Sequence, residues 1–348
     1  MDQNETPETG SGRCVRISRR EVLKRGGLGL GAAALGLPLI TNLSAASARA
    51  VSTQAFSFQL GWIPDAEYSG FFVASARGLY SRAKLNPGFL AGGPSVDVEP
   101  VVLTGKALLG IDPVPENVAH AAAAGADLKI VGTLFQKSPE CWVSLAKNPI
   151  REPKDIIGKR LGITLDGKLT ALRFLVKNGV NPAKVKLVPI QFSPAPLVAH
   201  QIDALWGLAT NQPVVLAQQG IKTHTMLLAD YGFNRMQDVI LTTGTALADP
   251  AKAATMRAFI AAARQGWVTT LADPAYAAKV VVSKYGKGLG LTEKSQRLTV
   301  EAMAPFVKPA GGGQIFSMSD ALISQTVSAL DHIVGVQAKR TLFTSALL

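Results

Sequence analysis

Short β-branched runs alternate with helical periods through most of this chain, and that alternation restricts the fold more than any single motif. A strand near Phe56 ends in Leu60-Gly61-Trp62 and leads through Pro64, Asp65, Glu67 and Tyr68 into a helical pattern. There Phe71, Phe72 and Leu79 share a buried face and Gly78 supplies the stop. Further helices are expected at 96–103 and 116–124, and strands at 108–111, 128–135 and 141–146. The polar, Pro-bearing stretch 150–155 reads as a boundary. Beyond it, strands at 160–164, 185–190, 204–208 and 223–228 alternate with helices at 168–177, 194–200 and 212–219. One more strand, 239–243, precedes long helical patterns at 250–271, 274–285 and 293–304. Asp249-Pro250 and Asp273-Pro274 fit helix starts, with Asp as cap and Pro in the first turn.

This pattern predicts an α/β protein of two lobes: 51–148 with 240–348 as lobe 1, and 149–239 as lobe 2. A chain of 348 residues, 47% of them apolar, can supply a core to each. The strand ends then present loops to a crevice between the lobes, where closure would capture a ligand.

Residues 1–50 read as an address. Arg13, Arg16, Arg19, Arg20, Lys24 and Arg25 precede an apolar run from Gly26 to Leu43, and Ala48-Arg49-Ala50 offers small residues for cleavage near Ala50. Ser18-Arg19-Arg20-Glu21-Val22-Leu23-Lys24 resembles a twin-arginine signal, so the chain is expected to be exported and to work outside the cytoplasm. Removing that region leaves 29 basic against 20 acidic side chains. No long Lys/Arg run or aromatic-basic interleaving accompanies this excess, which argues against a nucleic-acid partner. Cys14 leaves with the signal, so Cys141 has no intramolecular disulfide partner and is expected to be buried.

Several residues can line the crevice. Trp62 can stack on a flat heteroaromatic ring, or be a core Trp; Tyr68 has the same two readings. Asp65 and Glu67 can accept from ring N–H or amino groups, with one of them free to cap the following helix instead. Gly92-Gly93-Pro94 either frees backbone N–H groups for a ligand atom or is a tight turn. Gln136 and Ser138 leave a buried strand toward the crevice as candidate polar contacts, whereas Lys137 reads as a solvated charge. In lobe 2, Thr164 ends a strand, and Asn211 and Gln212 begin a helix after Trp206. His120, His200, His224 and His332 lack metal-ligand spacing, and no Ser-His-Asp set or phosphate loop is evident. Neither a metal, a cofactor nor a catalytic residue is expected.

The segments GWIPDAEYSGFFVASARGLY, GGPSVDVEPVVLTGKALLGID, LFQKSPECWVSL, IIGKRLGI, KLVPIQFSPAPLVAHQIDALWGLATNQPVVLAQQGI and LADYGFN run in this order between about Phe56 and Ala275. Together they resemble the NMT1/THI5-like branch of periplasmic substrate-binding proteins of ABC importers. The resemblance implies a type II binding-protein fold with two chain crossings, a monomer, and a permease and ATPase as partners. It implies a thiamine pyrimidine precursor or similar flat heteroaromatic as ligand, or, as in relatives, riboflavin, a sulfonate or nitrate. Many relatives carry Glu at the place of Gln212. An amide both donates and accepts, which favours flavin-like or carbonyl-rich rings over an aminopyrimidine. A sulfonate or nitrate receptor wants convergent donors, against which Asp65 and Glu67 argue. The family also holds an enzyme branch that builds the thiamine pyrimidine from its own residues. That branch has a cofactor-bearing Lys and a reactive His where this chain has Asp112 and Glu116, and a Cys-rich iron-binding run where this chain has Asn234-Arg235-Met236-Gln237-Asp238. Without the amine or the thiolates, a receptor rather than an enzyme is expected.

Overall fold

The alternating pattern folds into two mixed five-stranded sheets in the computed structural model, which describes residues 53–164, 167–191, 193–309 and 312–348. The twin-arginine segment and the cleavage position near Ala50 lie outside the described residues. The chain begins with β1 (Gln54–Leu60), α1 (Ser69–Ala76), α2 (Leu79–Arg82), β2 (Leu85–Leu90), α3 (Val98–Leu103), β3 (Leu109–Asp112), α4 (Pro115–Ala123) and β4 (Leu128–Phe135). It then forms β5 (Glu140–Leu145), β6 (Arg160–Ile163), α5 (Lys168–Lys177), β7 (Lys186–Pro189), α6 (Ala195–Val198), β8 (Ala204–Leu208), α7 (Gln212–Gln218) and β9 (Thr223–Leu227). It returns through β10 (Gln237–Thr243) to α8 (Gly244–Ala248), α9 (Pro250–Ala272), α10 (Pro274–Val280), α11 (Glu293–Val307) and α12 (Asp320–Val334).

Both sheets have the same plan. The first runs β2-β1-β3-β10-β4, with β10 antiparallel to both neighbours; the second runs β7-β6-β8-β5-β9, with β5 antiparallel to both of its own. Each antiparallel strand is the one that arrives from the other lobe. The period of two along β10 divides the lobe 1 core: Ile240 joins the α1 and α9 layer, while Val239 and Leu241 face α3, α4 and α12. Each fully buried aliphatic side chain of this kind contributes roughly 1.5–3 kcal/mol.

The long α9 approaches α1 closely because both helices have glycine at the crossing. A Cβ on Gly266 would fall 2.1 Å from the Gly70 carbonyl oxygen, and one on Gly70 would meet the Trp267 ring at 2.2 Å. After α10 the helix widens into a π turn over Val281–Tyr285, where a continuous helix was expected, and this sets the Tyr285 ring 4.0 Å from Phe72 in a stacked pair.

Strand pairing moves the lobe boundaries from those expected. The expected lobe 1 runs to residue 148, yet Glu140–Leu145 pairs with β8 and β9 in the second sheet. The Pro-bearing stretch that reads as a boundary holds a short 3-10 turn at Pro153–Ile156, capped by Glu152 and Asp155, that seats Ile156 in the lobe 2 core. The crossings are therefore 136–139 and 228–236, between β4 and β5 and between β9 and β10. Among the described residues no helix is long and apolar enough to cross a membrane.

Candidate functional site

Strand order puts the chemistry at one edge of the first sheet. Parallel β1 and β3 end side by side, at Leu60 and Asp112, and antiparallel β10 starts at the same edge, with Val239 opposite Asp112. The loop after β1, the end of β3 and the start of β10 thus converge where open α/β sheets bind ligands. Gly61 permits this approach, since a Cβ there would lie 2.3 Å from the Pro113 ring.

The loop after β1 is held firmly. Asp65 caps a single 3-10 turn, Ala66–Tyr68, with Oδ1 accepting from the Glu67 N–H at 2.9 Å, and the Gln296 side chain on α11 accepts from the Ala66 N–H at 2.7 Å. Trp62, Asp65 and Glu67 remain partly open, whereas Tyr68 is buried. Trp62 also leans on the lobe 1 core, so its two readings describe two parts of one side chain.

Asp65, Glu67, Tyr68, Asp112 and Asp238 form one electrostatic group. Burial, then the neighbouring Glu67, push the Asp65 carboxyl up to about 8. Burial, then Glu99, push Asp112 up to about 8 as well. Burial also raises Glu67, and burial with Glu67 and Asp112 nearby raises Asp238 well above the carboxylate range. The Tyr68 hydroxyl is raised by burial and by Glu67, Asp238 and Asp65. At about 8, Asp65 and Asp112 hold near neutral pH a proton that an ordinary carboxylate has lost. Asp112, Asp238 and Glu99 were not among the expected site residues. An Asp beside a buried β-branched strand, as in Gln237-Asp238-Val239-Ile240, is the sequence signal that marks Asp238.

The other expected contacts divide into two groups. Gly92 fits tightly, because its N–H donates to the Trp62 carbonyl at 3.0 Å and a Cβ would lie 2.2 Å from the Leu60 oxygen. The tight-turn reading therefore describes Gly92, whose N–H is occupied. Gly93 and Pro94 do not open a helix directly, since α3 begins at Val98. In lobe 2, Thr164 is buried at the end of β6 with its hydroxyl unpartnered, and Asn211 is exposed at the start of α7 with no capping bond. Gln212 is buried and its Oε1 accepts from the Leu208 N–H at 2.8 Å, so this oxygen holds the β8–α7 turn. Trp206 packs edge-on against Trp142 at 5.6 Å within the lobe 2 core, with Gly167 over its indole nitrogen.

Gln136 and Ser138 occupy the first crossing, where their side chains are engaged by protein. Gln136 Nε2 donates to Thr133 O and Ser317 O, and the fully buried Ser138 hydroxyl lies 3.4 Å from the Gln237 amide oxygen. The two crossings run side by side: the Ser138 N–H donates to Asn234 Oδ1 at 3.0 Å, and Lys137, expected to be solvated, pairs with Asp230. Arg235 is the buried centre of this junction, bidentate to Glu140 and 2.6 Å from a Glu116 oxygen. Burial alone would lower its pKa, but Glu116 and Glu140 together hold it above the ordinary value.

Two similar sheets, each completed by a strand from the other lobe and joined by two adjacent crossings, define a two-lobed binding-protein architecture. The chain belongs to the NMT1/THI5 like family, whose model matches residues 65–277. It is 26% identical to the riboflavin-binding protein RibY of Chloroflexus aurantiacus over 231 residues, covering 64% of each chain. It is 27% identical to the 4-amino-5-hydroxymethyl-2-methylpyrimidine phosphate synthase of Schizosaccharomyces pombe over 168 residues, 48% of each chain. The matched stretches span less than two thirds of these curated relatives. The fold is similar to that of the periplasmic aliphatic sulphonate binding protein SsuA from Escherichia coli, with a TM-score of 0.62, 14% identity, and 83% of this chain and 92% of that chain covered.

Proposed function

We propose that this protein is an extracytoplasmic solute receptor of an ABC importer, exported by the twin-arginine route, that captures a flat nitrogen heterocycle between its lobes. The observation that carries this reading is the placement of the partly open Trp62 beside Asp65 and Glu67 at the ligand edge of the first sheet. Trp62 offers a stacking face and the two acids accept from N–H groups, a set suited to pyrimidine precursors or flavins. Thr164, Asn211 and Gln212 face the solute from lobe 2. The riboflavin-binding relative favours a ring of this type. Closure about the paired crossings then presents both lobes of a monomer to a permease and its ATPase.

The synthase relatives raise an enzyme reading. Asp112 is held by the Val114 N–H and Glu116 is engaged with Arg235, so neither position supplies an amine or an imidazole. The receptor reading predicts no turnover with pyridoxal phosphate and iron. A thermal-shift panel of pyrimidines, flavins, alkanesulfonates and nitrate tests the solute class. Stabilisation by the anions alone would overturn the heterocycle assignment in favour of a sulfonate or nitrate receptor.

A further inference from the structure

Basic charge gathers at the end of the hairpin that α10 and α11 form. Between residues 279 and 294 stand Lys279, Lys284, Lys287 and Lys294 against the single acid Glu293. These sixteen residues hold a third of the excess of 29 basic over 20 acidic side chains beyond residue 50. All four lysines are exposed, and none enters an ion pair among the described residues. Like charges crowded on one tip repel one another, so the fold itself gains nothing from them.

The same tip shows an apolar side chain to solvent. Leu289, 43% exposed, sits in Lys287-Gly288-Leu289-Gly290, where both glycines have left-handed backbone, at φ 86° and 70°. A Cβ on either glycine would meet nothing within 4 Å, so the apex stands clear of the rest of the molecule. Its base is fastened. The Gly286 N–H donates to the Val281 carbonyl at 2.7 Å, and a Cβ on Gly286 would come within 3.0 Å of the Pro64 oxygen. One turn beyond Glu293, the Gln296 side chain accepts from the Ala66 N–H, so this hairpin also braces the loop that carries Trp62.

We infer that this tip is a contact for an anionic membrane surface, with the lysines against lipid phosphates and Leu289 entering the headgroup layer. An apolar apex ringed by lysines suits such a surface, because the ammonium groups reach the phosphates while the leucine leaves water. A protein partner would have to supply a pocket for Leu289 and acids placed for each lysine; a lipid surface meets both needs without fixed positions. Each lysine brought close to anionic lipid tightens binding by roughly fivefold, and salt screens the effect. The resulting contact is reversible. It holds a receptor near its permease between captures, and it does not depend on which solute Trp62 meets.

The test is co-sedimentation of the full chain with two kinds of vesicle, one of phosphatidylcholine alone and one of equal parts phosphatidylcholine and phosphatidylglycerol. Residues 1–50 are common to every variant, so their own affinity cancels in the comparison. Lys284→Gln, Lys287→Gln and Lys294→Gln together should weaken binding to the anionic vesicles by at least about tenfold. Lys147→Gln, Lys154→Gln and Lys222→Gln remove the same charge from exposed positions of lobe 2 and should change it by less than about threefold. Leu289→Ser should weaken binding by roughly three- to tenfold. All of these side chains are exposed, so each variant should keep the wild-type melting temperature. No preference for the anionic vesicles, or equal losses from the two triple variants, overturns the proposal. Unchanged binding by Leu289→Ser also overturns it, and leaves the lysines to an acidic protein surface.

Discussion

Asp112→Asn tests the electrostatics of the acid group without touching the open face of the site. Asp112 is buried at the end of β3, where Oδ1 accepts from the Val114 N–H at 2.6 Å. Asparagine keeps that acceptor, and its amide can donate toward Glu99. The wild-type carboxyl is raised from 3.8 to about 8, so the folded protein holds a proton that the unfolded chain gives up. Its contribution to stability is complete below pH 4 and is lost as pH rises through about 8. At 1.36 kcal/mol for each tenfold change in proton activity, wild type loses about 3 kcal/mol between pH 5 and pH 7.5 through this residue, and the Asn variant does not. Water entry on ionisation will reduce the observed figure to about 2 kcal/mol. Urea unfolding of the two proteins at both pH values measures it: the variant should gain on wild type as pH rises. A difference that stays constant between the two pH values, or that moves against the variant, would refute the assignment of a protonated Asp112.

Three other substitutions probe separate parts of the molecule. Gly266→Ala puts a methyl group into the Gly70 carbonyl and should cost roughly 2–4 kcal/mol, read as a lower melting temperature, because backbone has to move to make room. Trp62→Ala should remove most of the solute-induced thermal shift and lower the unliganded melting point by only a few degrees, since the side chain only partly supports the core; wholesale unfolding would make Trp62 a core residue. Arg235→Met leaves Glu116 and Glu140 buried without their cation and should cost about 3–5 kcal/mol in denaturant unfolding, with adding Glu140→Gln recovering part of the loss.

The lobes were legible because strand and helix periods follow from local burial: β4, β8 and α5 lie at the residues their patterns predicted. The edge strand β2 was hidden by Pro87 and Gly88, which an edge tolerates because one side of its ladder has no partner to lose. The lobe boundary was misplaced because Pro and polar residues at 150–155 look like a linker, while the real first crossing is a four-residue step from β4 to β5. Within the site, the Trp62 to Tyr68 loop was visible as polar residues between a strand and a helix. Gln136 and Ser138 were not legible as crossing residues, because their partners Ser317 and Gln237 are remote in sequence.

The acid group shows why such a site cannot be read from local pattern. Asp65, Asp112 and Asp238 stand in three separate segments and meet only because β10 returns from lobe 2 and pairs antiparallel to β3. Its start, from Asn234 to Asp238, serves both lobes: Asn234 and Arg235 fasten it to the first crossing, and Asp238 enters the acid group. Asp238 has left-handed backbone at φ 53°, three residues after an Arg235 that is bidentate to Glu140, and its carboxyl is hydrogen-bonded to Glu67. Strain at that one residue is therefore the local expense of placing the junction between the lobes and the acid group on the same few residues.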